Sequence, residues 1–178
     1  MLTIAQLIDR DLKWVQPHPF KQEYELQADG EPAATLRWKS AFGSLATAES
    51  ADGCWTFKRV GFWQTRATVR ACGSDTDIAT FKNNTWKGGG TLTLADGRTY
   101  LASTNFWQTQ FEFKTETGER LFGYTNIGGV MRLSARVQIE PPAVTLRELP
   151  WMVMLGWYLA LMLHRDSAAA TAAVAATA

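Results

Sequence analysis

The sequence predicts a mainly β protein: an antiparallel closed β-barrel of about twelve strands around a buried hydrophobic C-terminal helix, with a short N-terminal helix. Apolar and polar residues alternate with period two through most of residues 22–139, as expected of strands buried on one face and wet on the other. Turn residues break these runs at the spacing of a meander. The third observation is the stretch Leu149–Leu163, LPWMVMLGWYLALML, which carries no charge. A helix apolar on every side has to be buried.

The first dozen residues predict a helix. Thr3 and Gln6 stand at capping-box spacing, and Ile4, Leu7, Ile8 and Leu12 form one apolar face. Pro17 and Pro19 end it. MLTIAQLIDRDLK lacks the apolar core of a secretory leader, so cytoplasmic residence is the expectation.

The period of two begins at Gln22. Tyr24 and Leu26 alternate with polar neighbours up to an Asp29-Gly30 turn, and Leu36 and Trp38 continue beyond it. A three-residue loop at Asp29–Glu31 sets Leu26 opposite Ala34 and Tyr24 opposite Leu36. Further strands fall near Ser44–Ser50, Cys54–Val60, Gln64–Cys72 and Thr76–Lys82. A hairpin over Thr91–Ser103 turns at Asp96-Gly97 and pairs Leu92 with Leu101 and Thr93 with Tyr100. Another over Gln108–Thr125 turns at Thr117-Gly118 and pairs Phe113 with Phe122 and Phe111 with Tyr124. The last strand, Val130–Ile139, points Met131, Leu133, Ala135, Val137 and Ile139 inward. The count reaches about eleven.

An internal repeat runs through this region. Phe62-Trp63-Gln64-Thr65 recurs as Phe106-Trp107-Gln108-Thr109. At that offset the outward Arg66, Thr68 and Arg70 fall on Gln110, Glu112 and Lys114, and the inward Ala67 and Val69 fall on Phe111 and Phe113. The pattern reads as a duplicated strand unit.

Length decides where the apolar segment lies. Fifteen residues of helix span about 22 Å, short of the about 30 Å of a bilayer's hydrocarbon core. Pro150 suits a first helical turn, and Glu148 before it and His164 and Arg165 after it complement the helix dipole. Gly156 and Ala160 serve either membrane packing or the close passage of a strand. A sheet of about twelve strands closes around a lumen that needs a plug, and a helix about 10 Å across supplies one. The expected domain is therefore 1–166, including a central helix at 149–164, followed by a disordered Ala/Thr-rich tail at 167–178.

A meander of about twelve antiparallel strands followed by an all-apolar C-terminal helix resembles the tubby-like C-terminal superfamily, which includes the LURP-one-related proteins and the phospholipid scramblases. The likeness covers roughly residues 20–165 and rests on element order, repeat and helix. It implies a closed barrel around a central helix and, by analogy of fold alone, a role at membranes, with a cytoplasmic protein attached peripherally to the bilayer. Tubby domains hold phosphoinositide head groups on basic residues of the barrel exterior. No tubby residue signature is present, so no binding residue is carried over.

Composition narrows the function. A net charge of +1 from 18 basic and 17 acidic residues lacks the basic excess of a dedicated nucleic-acid binder. Cys54 and Cys72 are too few for a disulfide framework and match no zinc spacing. His18 and His164 have no ligand neighbours. Asp75 and Asp77, with Ser74, Asn83 and Asn84, offer oxygens but lack the ordered acidic loop of a calcium site, and read as a polar turn. Gly88-Gly89-Gly90 precedes a strand rather than the Lys-Ser/Thr and helix of a phosphate loop, and reads as a bulge or bend. There is no Gly-x-Ser-x-Gly elbow. These observations predict a non-enzymatic module without cofactor or metal.

The candidate site is a basic group near the first repeat: Lys58, Arg59, Arg66, Arg70, Lys82 and Lys87. Arginine forks and lysine ammoniums bind phosphate oxygens, so the expected partner is anionic membrane lipid. The competing reading is a solvated strand face. Two alternative functions accompany it: a lipocalin-like carrier with an open lumen, and a tail-anchored membrane protein.

Overall fold

The computed structural model describes residues 2–61, 66–84, 89–129 and 131–176. It is the expected closed barrel. The strands are β1 (Leu12–Val15), β2 (Glu23–Ala28), β3 (Glu31–Trp38), β4 (Ala46–Ser50), β5 (Gly53–Val60), β6 (Arg66–Ala71), β7 (Ala79–Asn83), β8 (Gly89–Leu94), β9 (Thr99–Thr104), β10 (Phe111–Thr115), β11 (Arg120–Gly128) and β12 (Ser134–Ile139). Each pairs antiparallel with the next, and β1 closes on β12. A single helix, α1 (Leu149–Ala176), runs through the middle.

The N-terminus differs from the sequence expectation. Only Ile4–Leu7 is helical, as one 3-10 turn, in which the Gln6 side chain accepts from the Thr3 N–H at 3.0 Å. Leu12 and Trp14 instead belong to β1, the strand missing from the count of eleven, and both are buried. Leu12, Lys13 and Trp14 pair with Val137, Arg136 and Ala135. Four residues are too few to display a period. What fixes them is the pair of open edges on β2 and β12, whose backbone groups β1 satisfies.

Registers follow burial. Tyr24 faces Leu36 and Leu26 faces Ala34, as expected. The loop itself is the two-residue Asp29-Gly30 turn, with φ of 52° and 89°, as a primed turn requires. The parity is restored by a bulge that leaves Ala33 unpaired. Phe113–Phe122 and Phe111–Tyr124 also form. The β8–β9 hairpin is a correction: Leu92 pairs with Tyr100 and Thr91 with Leu101. Leu92 and Tyr100 are buried while Leu101 is exposed, and a three-residue turn ending at Gly97, φ 90°, delivers that register. Met131 is a second correction. It lies before β12 and is exposed rather than inward, whereas Ala135, Val137 and Ile139 are buried; Val130 lies outside the described residues.

α1 fills the lumen. Met152, Val153, Met154, Leu155, Trp157 and Tyr158 have no exposed surface. Trp157 stacks on Trp14 at 5.8 Å and Tyr158 on Trp38 at 5.4 Å between ring centres. Each such ring removes about 150–250 Å² from water. Gly156 is where the helix passes closest to the wall: a Cβ there would sit 2.6 Å from the Tyr124 hydroxyl, which donates to the Val153 carbonyl. The lumen retains a cleft of about 40 Å³ between α1 and β5–β8, far below the about 300 Å³ that a carrier's cavity needs.

α1 does not stop at His164. It continues to Ala176, where the sequence suggested a disordered tail. A helix already nucleated extends at little cost, and Ala is the best helix former. Among the described residues, no helix is long and apolar enough to cross a membrane.

The up-and-down order gives the barrel two distinct ends. α1 enters at the floor, among the connections 29–30, 51–52, 72–78, 95–98 and 116–119. It leaves through the mouth, among the connections that join β1 to β2, β3 to β4, β9 to β10 and β11 to β12. At the mouth Arg165 donates to the Ala41 carbonyl at 2.8 Å, and a His164 ring nitrogen meets the Gln108 carbonyl at 3.2 Å.

Candidate functional site

The six cations chosen from sequence separate into distinct environments. β5 points Trp55, Phe57 and Arg59 toward the interior side and Thr56, Lys58 and Val60 outward, following the burial of Phe57. Arg59 thus leaves the proposed exterior cluster. It stands inside the mouth and pairs with Asp166 of α1 at 2.7 Å, across the 40 Å³ cleft. Alternation along a strand assigned it that face; the sequence grouping had counted only proximity in the chain.

Arg70 is outward but committed. Its Nε is 2.5 Å from Asp77 and its Nη1 4.0 Å from Asp75, so the acids singled out as oxygen ligands serve as its counter-charges. Among the described residues no cluster of three or more acidic, His or Cys side chains could hold a metal. Lys87 lies outside the described residues, as does the first copy of the repeat, Phe62–Thr65.

Lys58, Arg66 and Lys82 remain together. Arg66 is directly opposite Lys82 across β6–β7, and Lys58 opposite Thr68 across β5–β6. Thr68 is opposite Thr80, which is opposite Thr93. Three exposed cations therefore flank a threonine row that runs from buried Thr68 through half-buried Thr80 to exposed Thr93. None of the three has an ion pair among the described residues. Arg66, Thr80, Lys82 and Thr93 line a shallow recess of about 290 Å³, with Asp77 on its edge. Juxtaposing Arg66 and Lys82 costs repulsion, which an anion in the recess would remove.

Gly89 and Gly90 stand next to this patch. A Cβ on Gly90 would meet the Lys82 carbonyl at 2.2 Å, and one on Gly89 the Ala102 carbonyl at 2.2 Å. Both are paired in the regular ladder of β8 rather than in the expected bulge or bend, and their role is close strand approach; Gly88 lies outside the described residues.

Other ionisable groups are structural. Glu148 is buried below α1, where it pairs with Arg98 and accepts from the Tyr100 hydroxyl at 3.1 Å. Hydrogen bonds from the Arg98 backbone and side chain hold Asp96 below the usual carboxylate range. Burial pushes the Tyr158 hydroxyl up to about 12 while it donates to the Ser44 carbonyl at 2.7 Å. Burial also raises the Tyr124 hydroxyl well above the usual tyrosine range.

Cys54 and Cys72 are joined in a disulfide across β5 and β6, with Cα atoms 5.4 Å apart. Two cysteines suffice for one bond, and the hydrogen bond from the Cys72 N–H to the Cys54 carbonyl at 3.0 Å places them side by side. Such bonds are rare in reducing compartments, which weighs against the cytoplasmic expectation.

Sequence reasoning overlooked the mouth. Phe20, Phe42, Phe106, Trp107 and Met131 are between 71% and 100% exposed, and all five sit on mouth connections. The signal was available: in a meander, alternate connections share an end, and these carry the large apolar tips. Comparison with protein-family models, with curated proteins and with solved structures finds no match to this chain.

Proposed function

We propose that this barrel is a non-enzymatic, membrane-associated binding module that contacts anionic phospholipid head groups through Lys58, Arg66 and Lys82. The observation that carries the reading is that two exposed cations without an ion pair among the described residues, Arg66 and Lys82, line one recess with Thr80 and Thr93, while Lys58 stands on the neighbouring strand opposite Thr68. Threonine hydroxyls and basic side chains are donors suited to phosphate oxygens. Each cation near an anionic leaflet contributes about 1 kcal/mol. The tubby-like resemblance supports the same direction, because that group uses the exterior of a helix-filled barrel.

The filled lumen argues against a carrier, and α1 has its apolar half inside protein rather than lipid. The test is sedimentation with vesicles of phosphatidylcholine, with and without phosphatidylserine. Arg66→Glu with Lys82→Glu lowers retention on the anionic vesicles about tenfold or more, and added salt weakens the wild type. Retention unchanged by the double substitution removes the reading.

A further inference from the structure

We infer that the mouth of the barrel is a membrane-insertion surface, with Phe20, Phe42, Phe106, Trp107 and Met131 sinking into the interfacial layer of an anionic bilayer and the barrel axis standing upright on it. The inference rests on the reading that this chain meets a membrane, and adds which end does so and how.

The first ground is the distribution of exposed apolar surface. Seven large apolar side chains are exposed among the described residues, and the five most exposed occupy mouth connections. Leu2 and Leu101, the other two, are half-exposed at 46% and 40%. A water-facing protein gains nothing from collecting its largest exposed apolar side chains at one end.

The tips are also held out by structure. Asn105 Oδ1 accepts from the Thr109 and Gln110 N–H groups at 2.9 and 3.0 Å, and its Nδ2 donates to the Thr109 hydroxyl at 2.8 Å. That closed loop presents Phe106 and Trp107 edge to face at its apex, 5.1 Å apart. The loop bearing Phe42 is fastened to α1 by Arg165, and the Gln108 side chain accepts from the Ser167 hydroxyl at 3.1 Å. Ordering costs are therefore met before any ligand arrives.

Charge names the occupant. The described residues of the mouth connections contain Lys21, Lys39 and Arg132 and not one Asp or Glu. The floor connections and the segments leading into β1 and α1 contain eleven acids against Arg10, Arg98 and Arg147. A whole-chain charge of +1 thus conceals a strong polarity along the barrel axis. An anionic surface attracts the mouth and repels the floor.

Shape favours a fluid plane over a protein partner. The five tips stand on four loops around a rim, and α1 projects through its centre with no charge from Ser167 to Ala176. A soft interface admits each tip independently, whereas a folded partner would need a matching ring with a central hole. Phe and Trp are the side chains that favour the head-group boundary. The ten projecting residues reach about 15 Å beyond the mouth.

The decisive experiment uses full-length protein and the same two vesicle compositions. Phe106→Ser with Trp107→Ser lowers partitioning onto phosphatidylserine-containing vesicles about tenfold or more, with an unchanged circular dichroism spectrum. Trp107→Cys carrying an environment-sensitive dye shifts to the blue on binding and becomes shielded from an aqueous quencher. If the wild type sediments while the dye stays water-accessible and the tip variant binds equally well, insertion is refuted and the head-group patch survives. If the tip variant is released but Arg66→Glu with Lys82→Glu binds normally, the patch is refuted and insertion stands. Failure of the wild type to bind either vesicle refutes both. Light scattering that shows self-association lost in the tip variant replaces the membrane with a second copy of this chain.

Discussion

The floor and the mouth of this barrel are built from the same up-and-down strands and differ in almost everything else. At the floor, polar groups are spent on structure: Arg10 pairs with Asp29 at 2.8 Å, Arg98 with Asp96 at 2.8 Å and with buried Glu148, and Asp52 accepts from the Ile4 N–H at 2.9 Å. At the mouth, the hydrogen bonds fasten the loops to themselves and to α1, and the apolar tips face outward. Stability is concentrated at one end, and unspent binding capacity at the other. The two requirements are separable because each connection can change without altering the register of the strands that carry it.

The largest test of that division is truncation before Leu149. Without α1 the lumen loses Trp157, Tyr158 and their neighbours, and the remaining chain has no cooperative transition by denaturant titration. Gly156→Val is milder. Its added carbons meet the Tyr124 ring and hydroxyl at 2.6–2.8 Å, and overpacking of this kind costs about 3 kcal/mol, readable as a lower midpoint in urea.

Paired arginines then contrast the two ends. Arg98→Ala leaves Glu148, 5% exposed, with Tyr100 alone, and destabilises by about 2 kcal/mol. Arg59→Ala removes the exposed pair with Asp166 and costs less than about 1 kcal/mol. Equal losses would break the comparison. Alkaline titration sharpens it further. The Tyr158 hydroxyl ionises in the fold at about 12 and in the unfolded chain near 10, so its neutral form is favoured by folding. Its contribution is complete below pH 10 and is lost as pH rises from about 10 to 12; tyrosinate absorbance should lag behind that of an exposed tyrosine. The smallest effect falls on the tips: Phe106→Ser with Trp107→Ser changes stability in water by less than about 0.5 kcal/mol.

How much of this could be read in advance depended on the length over which a pattern repeats. β10–β11 and β2–β3 were legible to the residue pair, because long alternating runs flank a recognisable turn. β8–β9 was displaced by one, since Leu101 and Tyr100 are both apolar and only the turn geometry chooses between them. β1 was hidden inside a helix-like apolar spacing. The candidate site was half legible: Lys58, Arg66 and Lys82 do share a face, but Arg59 turned inward and Arg70 was already taken by Asp77.

By itself the chain determined that it would be a closed sheet around an apolar helix, because the alternation needs something to face and fifteen charge-free residues need something to hide in. Tertiary structure decided the rest: which strand seals the barrel, which cysteines meet, which cations keep their charge available, and which connections share an end. Those depend on separations in space between residues far apart in the chain, and a local pattern carries no information about distance across a closed sheet.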